Sequence, residues 1–76
     1  MRIHHGAHKH GITDEQIMAA LRVPIAQATQ GSNRLLIVAA DNSGQILELV
    51  VLNPESDDPC VIHADKIRQK FMRLLR

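Results

Sequence analysis

The chain has 76 residues, 45% of them apolar, and 9 Lys+Arg against 8 Asp+Glu give a formal net charge of +1. This length holds one domain, residues 1–76, and leaves no room for a second, while the apolar fraction excludes a disordered chain. The longest uninterrupted apolar run, Leu35–Ala40, is far short of the ~20 residues a membrane span needs, and the single Cys60 excludes an intrachain disulfide and a thiolate-rich zinc site.

No charged leader precedes an apolar segment, so no signal peptide is expected and the cytoplasm is the expected compartment. A domain of this size buries only ~60% of its unfolded surface. A bound partner or a homodimer is therefore expected to complete the core.

In chain order, residues 1–24 read as helical. A short His-rich helix or turn ends at Gly11, the residue type that commonly follows a helix end. Thr13-Asp14-Glu15-Gln16 is a capping box, in which Thr13 accepts from the Gln16 amide and Gln16 reaches back. Ile17, Ala20 and Leu21 form an apolar face onto which Ile12 staples. Pro24 stops this helix.

Residues 25–63 read as an antiparallel sheet of three to four strands. Ile25–Thr29 is a short strand, and Gln30-Gly31-Ser32-Asn33 is turn chemistry. Arg34–Ala40 and Ile46–Leu52 pair through the loop Asp41-Asn42-Ser43-Gly44. In the second of these strands Leu47, Leu49 and Val51 share one face, and Ile46, Glu48, Val50 and Leu52 share the other. Both faces are largely apolar, so helices cover both or a second chain covers one, burying Ile46 and Val50. Asn53–Pro59 reads as a surface loop and Cys60–His63 as the last strand.

Residues 64–76 read as a C-terminal helix capped by Asp65, with Ile67, Phe71, Leu74 and Leu75 on one face and Lys66, Lys70 and Arg73 on the other. The fold expected is thus α+β: two N-terminal helices, a small antiparallel sheet and a basic C-terminal helix. The near-zero net charge hides an order. Six acids between Leu35 and Asp65 come without a Lys or Arg, and then Lys66, Arg68, Lys70, Arg73 and Arg76 follow without an acid. Such a basic block suits a nucleic acid or an acidic partner, or simply the negative end of a helix dipole.

Histidine is the other unusual feature. His4, His5, His8 and His10 crowd the N-terminus, with His4 and His8 at a spacing that one helix face could present to a metal. Solvated surface histidines, with one or two packed, are the simpler reading of that cluster, since zinc needs three or four ligands and no Asp or Glu lies near them before Asp14. His63 ends an apolar strand just before the basic segment. There it would sit beside an anion site with Lys66 and Arg68, or hydrogen-bond a loop carbonyl. Phosphate loops, nucleophile elbows and zinc-protease motifs do not occur in the sequence. Cys60 reads as a small buried core residue. With one Phe and no Tyr or Trp, base-stacking platforms cannot be built.

His5-Gly6-Ala7-His8-Lys9-His10-Gly11-Ile12-Thr13, followed by an acidic capped helix through Leu21, resembles the KHGI(S/T) opening of BrnT-like toxins. Ala19-Ala20-Leu21-Arg22-Val23-Pro24, Gly31 before Arg34-Leu35-Leu36-Ile37-Val38, and Val61-Ile62-His63-Ala64 before the basic end continue the likeness across nearly the whole chain. The resemblance implies a RelE-like fold, a toxin of a toxin-antitoxin pair, and metal-independent cleavage of RNA, including ribosome-associated mRNA, with no cofactor. It also implies a small antitoxin protein as partner. On that reading His63, His10, His5 and Lys9 are the candidate catalytic residues, and Lys66, Arg68, Lys70 and Arg73 the candidate RNA-binding residues. His63 stands where the family usually has Ser, and Asp65 where it has Arg. A carboxylate there repels phosphate, which favours the alternative of a non-catalytic interaction or nucleic-acid-binding domain. A His-rich metal-binding protein is the third reading.

Overall fold

A computed structural model describes residues 1–75, and its elements are largely strands. They run β1 (Arg2–Ile3), a 3-10 helix (His5–His8), α1 (Asp14–Leu21), β2 (Pro24–Thr29), β3 (Arg34–Ala40), β4 (Ile46–Leu52), β5 (Cys60–Lys66) and a second 3-10 helix (Gln69–Leu75). The strands form one five-stranded sheet in the order β1-β5-β4-β3-β2. The pairs β2–β3, β3–β4 and β4–β5 are antiparallel, and β1 lies parallel to β5.

The expected α+β fold, with two N-terminal helices, three to four antiparallel strands and a basic C-terminal helix, is overturned by this mostly β, mixed sheet. So is the RelE-like architecture that the resemblance implied. Three physical causes account for the differences. Arg2 and Ile3 add a fifth strand because the edge of β5 is free to accept them, and the His4 amide continues the pairing by donating to the Val61 carbonyl at 2.8 Å. The His-rich segment makes only one 3-10 turn before Gly11, whose φ of +81° ends it.

The largest change is at the C-terminal end. Residues 64–66 stay in β5 because β4 offers them partners, with Leu49 opposite Ala64, Glu48 opposite Asp65 and Leu47 opposite Lys66. Ala64 is buried in the core there. The following segment is a 3-10 helix, in which side chains three apart stack in rows. Phe71 and Leu74 form the row that packs on the sheet, whereas Leu75 joins Met72 in an exposed row. The expected helix face of Ile67, Phe71, Leu74 and Leu75 therefore loses its last member. The expected end of this helix at Arg76 lies outside the described residues.

α1 forms as its sequence dictates. Thr13 accepts from the Gln16 amide at 3.1 Å, and the Gln16 side chain accepts from the Thr13 amide at 2.9 Å. Ile12 and Ile17 enter the same core cluster, as the expected staple requires. That core lies on one side of the sheet, where Ile17 and Ala20 of α1 and Ala7 of the first 3-10 helix meet Leu47, Leu49, Val51, Val61 and Ala64. The other side is covered by Phe71, Ile67 and Leu74, which pack with Leu36, Val50 and Ile62. Val50 is thus buried by the chain's own C-terminal segment and is not free to meet a second copy. No helix among the described residues is long and apolar enough to cross a membrane.

Candidate active site

A bulge in β5 builds the site. The register with β4 shifts between Val50 and Val51, so Ile62 and His63 together oppose Val50. Alternation would have sent His63 to the opposite side of the sheet from Ile62. The extra residue instead brings both onto the side of Val50 and Glu48. There the His63 Nε2 lies 2.9 Å from a Glu48 carboxylate oxygen.

Glu48 is the one charge in the apolar strand Ile46–Leu52 and is fully buried, 0% exposed. A buried carboxylate persists only when it is paired and hydrogen-bonded. Arg68 supplies most of that. Its amide donates to Glu48 Oε1 at 2.7 Å, its Nε donates at 3.0 and 2.9 Å, and its Nη2 lies 2.7 Å from Oε2. Burial alone would push the Glu48 carboxyl up. The hydrogen bonds and charge of Arg68, together with His63, outweigh it and hold the group below its ordinary value of 4.5. The same contacts raise the Arg68 guanidinium above its ordinary value, with the Glu48 hydrogen bond as the leading cause.

His10 reaches this cluster from the N-terminal segment. Its ring stands edge-on to that of His63, with centroids 5.4 Å apart, and its Nδ1 is 3.8 Å from an Asp65 oxygen. Two imidazoles from opposite ends of the chain are therefore adjacent, and each faces a carboxylate. Because Glu48 can only accept, the proton of a neutral His63 sits on Nε2 and the Nδ1 lone pair is left free. The expected partners for His63, a loop carbonyl or a bound anion at a helix start, are replaced by this carboxylate.

The remaining expected site residues are scattered. His5 stacks on His4, ring centroids 4.1 Å apart, and His4 caps the first 3-10 helix by accepting from the Gly6 amide at 3.0 Å. His8 pairs with Asp14 across the turn. The N-terminal cluster thus splits into a cap, a stack, a hydrogen-bonded His8–Asp14 pair and the one ring that meets His63. Lys9 is exposed beside His10 at the end of that helix.

Of the expected stripe Lys66, Lys70 and Arg73, Lys66 lies on β5 and only Lys70 and Arg73 share a row of the 3-10 helix. Lys66 is the exposed last residue of β5, and Arg68 is committed to Glu48. The Lys70 ammonium lies 5.0 Å from the centre of the Phe71 ring, and Arg73 donates to the Lys70 carbonyl at 2.8 Å. Among the described residues no three of His, Cys, Asp and Glu are placed to share a metal ion. Cys60 is buried with a free thiol.

A concavity of about 770 Å³ lies elsewhere, at the loop end of the sheet, between Gln27, Thr29, Arg34, Leu35, Asn53 and Glu55. The His10–His63 pair has no part in its walls. Glu48 is the residue at the centre of this candidate site that the sequence alone does not single out. Its signal was present: a single carboxylate with apolar neighbours on both sides along a central strand must have a cationic partner. Compared with known proteins, the chain matches no family model, no curated protein and no solved structure.

Proposed function

We propose that the chain is a metal-independent ribonuclease in which His63 and His10 transfer the protons, the activity that the resemblance to BrnT-like toxins implies. The observation that carries this reading is the pairing of the two rings at 5.4 Å, each beside a carboxylate. His63, oriented through Nε2 by Glu48, is the general base. Its Nδ1 takes the proton of an RNA 2′-hydroxyl as that oxygen attacks the adjacent phosphorus. His10, oriented toward Asp65, is the general acid and gives a proton to the departing 5′-oxygen. The products are a 2′,3′-cyclic phosphate and a 5′-hydroxyl end, so atoms and protons balance. Lys9 and Lys66, exposed near the two rings in sequence, supply positive charge for the phosphate. Arg68 serves as a positioning residue through Glu48.

In a cell the enzyme would act as a toxin on mRNA and be held by a cognate antitoxin protein. The test is cleavage of free and ribosome-bound RNA in EDTA buffer. Cleavage is expected, with a bell-shaped pH profile and a loss of about a hundredfold or more in each of His63→Ala and His10→Ala. No cleavage of either RNA, or full activity in His63→Ala, would overturn the proposal.

A second reading, a non-catalytic interaction domain, is favoured by one observation. Arg68 and Asp65 leave the histidine pair with no net excess of cations, because Glu48 offsets the guanidinium. On that reading expression leaves growth unaffected, and His63→Ala lowers stability without changing any reaction.

A further inference from the structure

The end of the sheet opposite the histidines carries a strand edge that is not blunted. β2 is the terminal strand, and residues 23–33 contain no charged side chain. Natural edge strands commonly carry Lys or an inward charge that stops them from pairing with another chain. This one has only Pro24 and a bulge, between Pro24 and Ala26, and both lie at its start. The stretch from Ala26 to Gln30 is regular.

Its free hydrogen-bonding groups can be identified. The Gln30 amide donates to the Arg34 carbonyl at 2.9 Å, and the pairing runs on through Ala28 opposite Leu36 and Ala26 opposite Val38. Antiparallel pairs alternate between hydrogen-bonded and non-hydrogen-bonded. Ala26, Ala28 and Gln30 therefore turn their backbone groups toward β3, and Gln27 and Thr29 turn theirs outward. Both outward residues also have exposed side chains.

Exposed apolar side chains occur on β2 and on the segments that adjoin it in the chain or pack against it. The exposed large apolar residues are Met1, Met18, Val23, Ile25, Met72 and Leu75. Met18 and Val23 belong to α1 and its link to β2, and Ile25 is in β2 itself. Met72 and Leu75 are in the 3-10 helix that packs against β2.

We propose that β2 pairs with β2 of a second copy, antiparallel about a twofold axis at Ala28, to make one continuous ten-stranded sheet. In this register Gln27 faces Thr29 of the other copy, and the two residues exchange both hydrogen bonds, twice over by symmetry. Ala28 meets Ala28 of the partner in the narrow, non-hydrogen-bonded position, where a small side chain fits. The bulge and Pro24 fall outside the pairing. The second copy is the occupant because the edge is complementary to itself. Its two outward residues satisfy each other, and no charge along it repels a like strand.

The experiment is sedimentation or light scattering of the full chain at submillimolar concentration, with circular dichroism to confirm folding. The unmodified chain should run at twice its 8.5 kDa mass. Gln27→Lys/Thr29→Lys sets ammonium groups opposite each other in two symmetric pairs and should weaken the dimer about thirtyfold with no change in fold. Gln27→Lys/Thr29→Glu sets opposite charges in those same pairs and should restore it. A monomeric unmodified chain overturns the proposal. So does an undiminished dimer in the double-lysine variant, or a Lys/Glu variant no tighter than the double-lysine one. None of these outcomes depends on whether the histidines cleave RNA.

Discussion

The two sides of the sheet are held by different physics. On the α1 side Ile17, Leu47, Leu49, Val51 and Val61 interlock as a purely apolar cluster. On the other side the apolar cluster is small, Leu36, Val50 and Phe71 with their partly buried neighbours, and the adjoining volume is taken by Glu48 and its ring of donors. The first side gains free energy from every methylene removed from water and tolerates few vacancies. The second holds its covering segment through hydrogen bonds to one carboxylate. A directional lock of that kind positions groups accurately while contributing little net stability, and the candidate site is on that side.

The largest effect expected is on the apolar side. Leu49→Ala removes a fully buried side chain at the middle of the central strand and should cost about 3 kcal/mol in urea unfolding. A cost below that of an ordinary surface substitution would mean that the dry core is not where the stability lies.

On the polar side, the test is a cycle. Arg68→Ala leaves Glu48 buried with only His63 as a side-chain partner, so the melting temperature should fall clearly. Glu48→Leu combined with Arg68→Ala removes the buried charge as well and should recover more than half of that fall. If the double variant melts lower than Arg68→Ala alone, the carboxylate contributes stability by itself and the contrast between the two sides fails.

These two regions were also unequally legible in the sequence. The apolar side could be read nearly in full. The period of two in Ile46–Leu52, the capping box and the Ile12–Ile17 staple are local patterns, and local geometry satisfied them. The polar side could not. The β5 bulge that swings His63 toward Glu48 is fixed by pairing across strands, and no neighbour in sequence announces it. The reading of 64–76 as a helix failed for a related reason. Ile67, Phe71 and Leu74 suit a period of 3.6, but Phe71 and Leu74 suit a period of three as well. The partners β4 offers to Ala64, Asp65 and Lys66 decided the matter. The adjacency of His10 and His63 depends on where the N-terminal segment crosses β5, which no spacing encodes.

Acid should separate the two sides once the Glu48 contribution is removed. Asp41 accepts from Gln16, from the Ser43 amide and hydroxyl and from the Gln45 amide, and these bonds, Gln16 first, lower its carboxyl from 3.8 to about 2. Glu48 is lowered as well. A group whose folded value is depressed contributes stability that is present above its unfolded value and lost as pH falls through the folded value. Stability should therefore hold down to about pH 4 and decline toward pH 2. Glu48→Leu/Arg68→Ala should decline less over that window, since only the Asp41 contribution remains. An acid profile identical in the unmodified chain and the double variant would show that Glu48 does not titrate with unfolding.

The smallest effect concerns how the apolar side is closed at its rim. Thr13→Ala removes one acceptor, the hydroxyl that receives the Gln16 amide, and should cost about 1 kcal/mol. Gln16→Ala should cost more, because half-buried Gln16 makes two hydrogen bonds through its side chain. Its Oε1 accepts from the Thr13 amide at 2.9 Å, and its Nε2 donates to Asp41 at 3.1 Å. One side chain thus ties the start of α1 to the β3–β4 hairpin. Removing it loses the reciprocal cap bond and the leading cause of the low Asp41 value together. In Gln16→Ala the acid decline should begin at higher pH, whereas in Thr13→Ala it should stay where it is. If both variants shift the acid profile alike, the hydroxyl and the amide act as one unit, and the helix cap itself holds the hairpin loop in place.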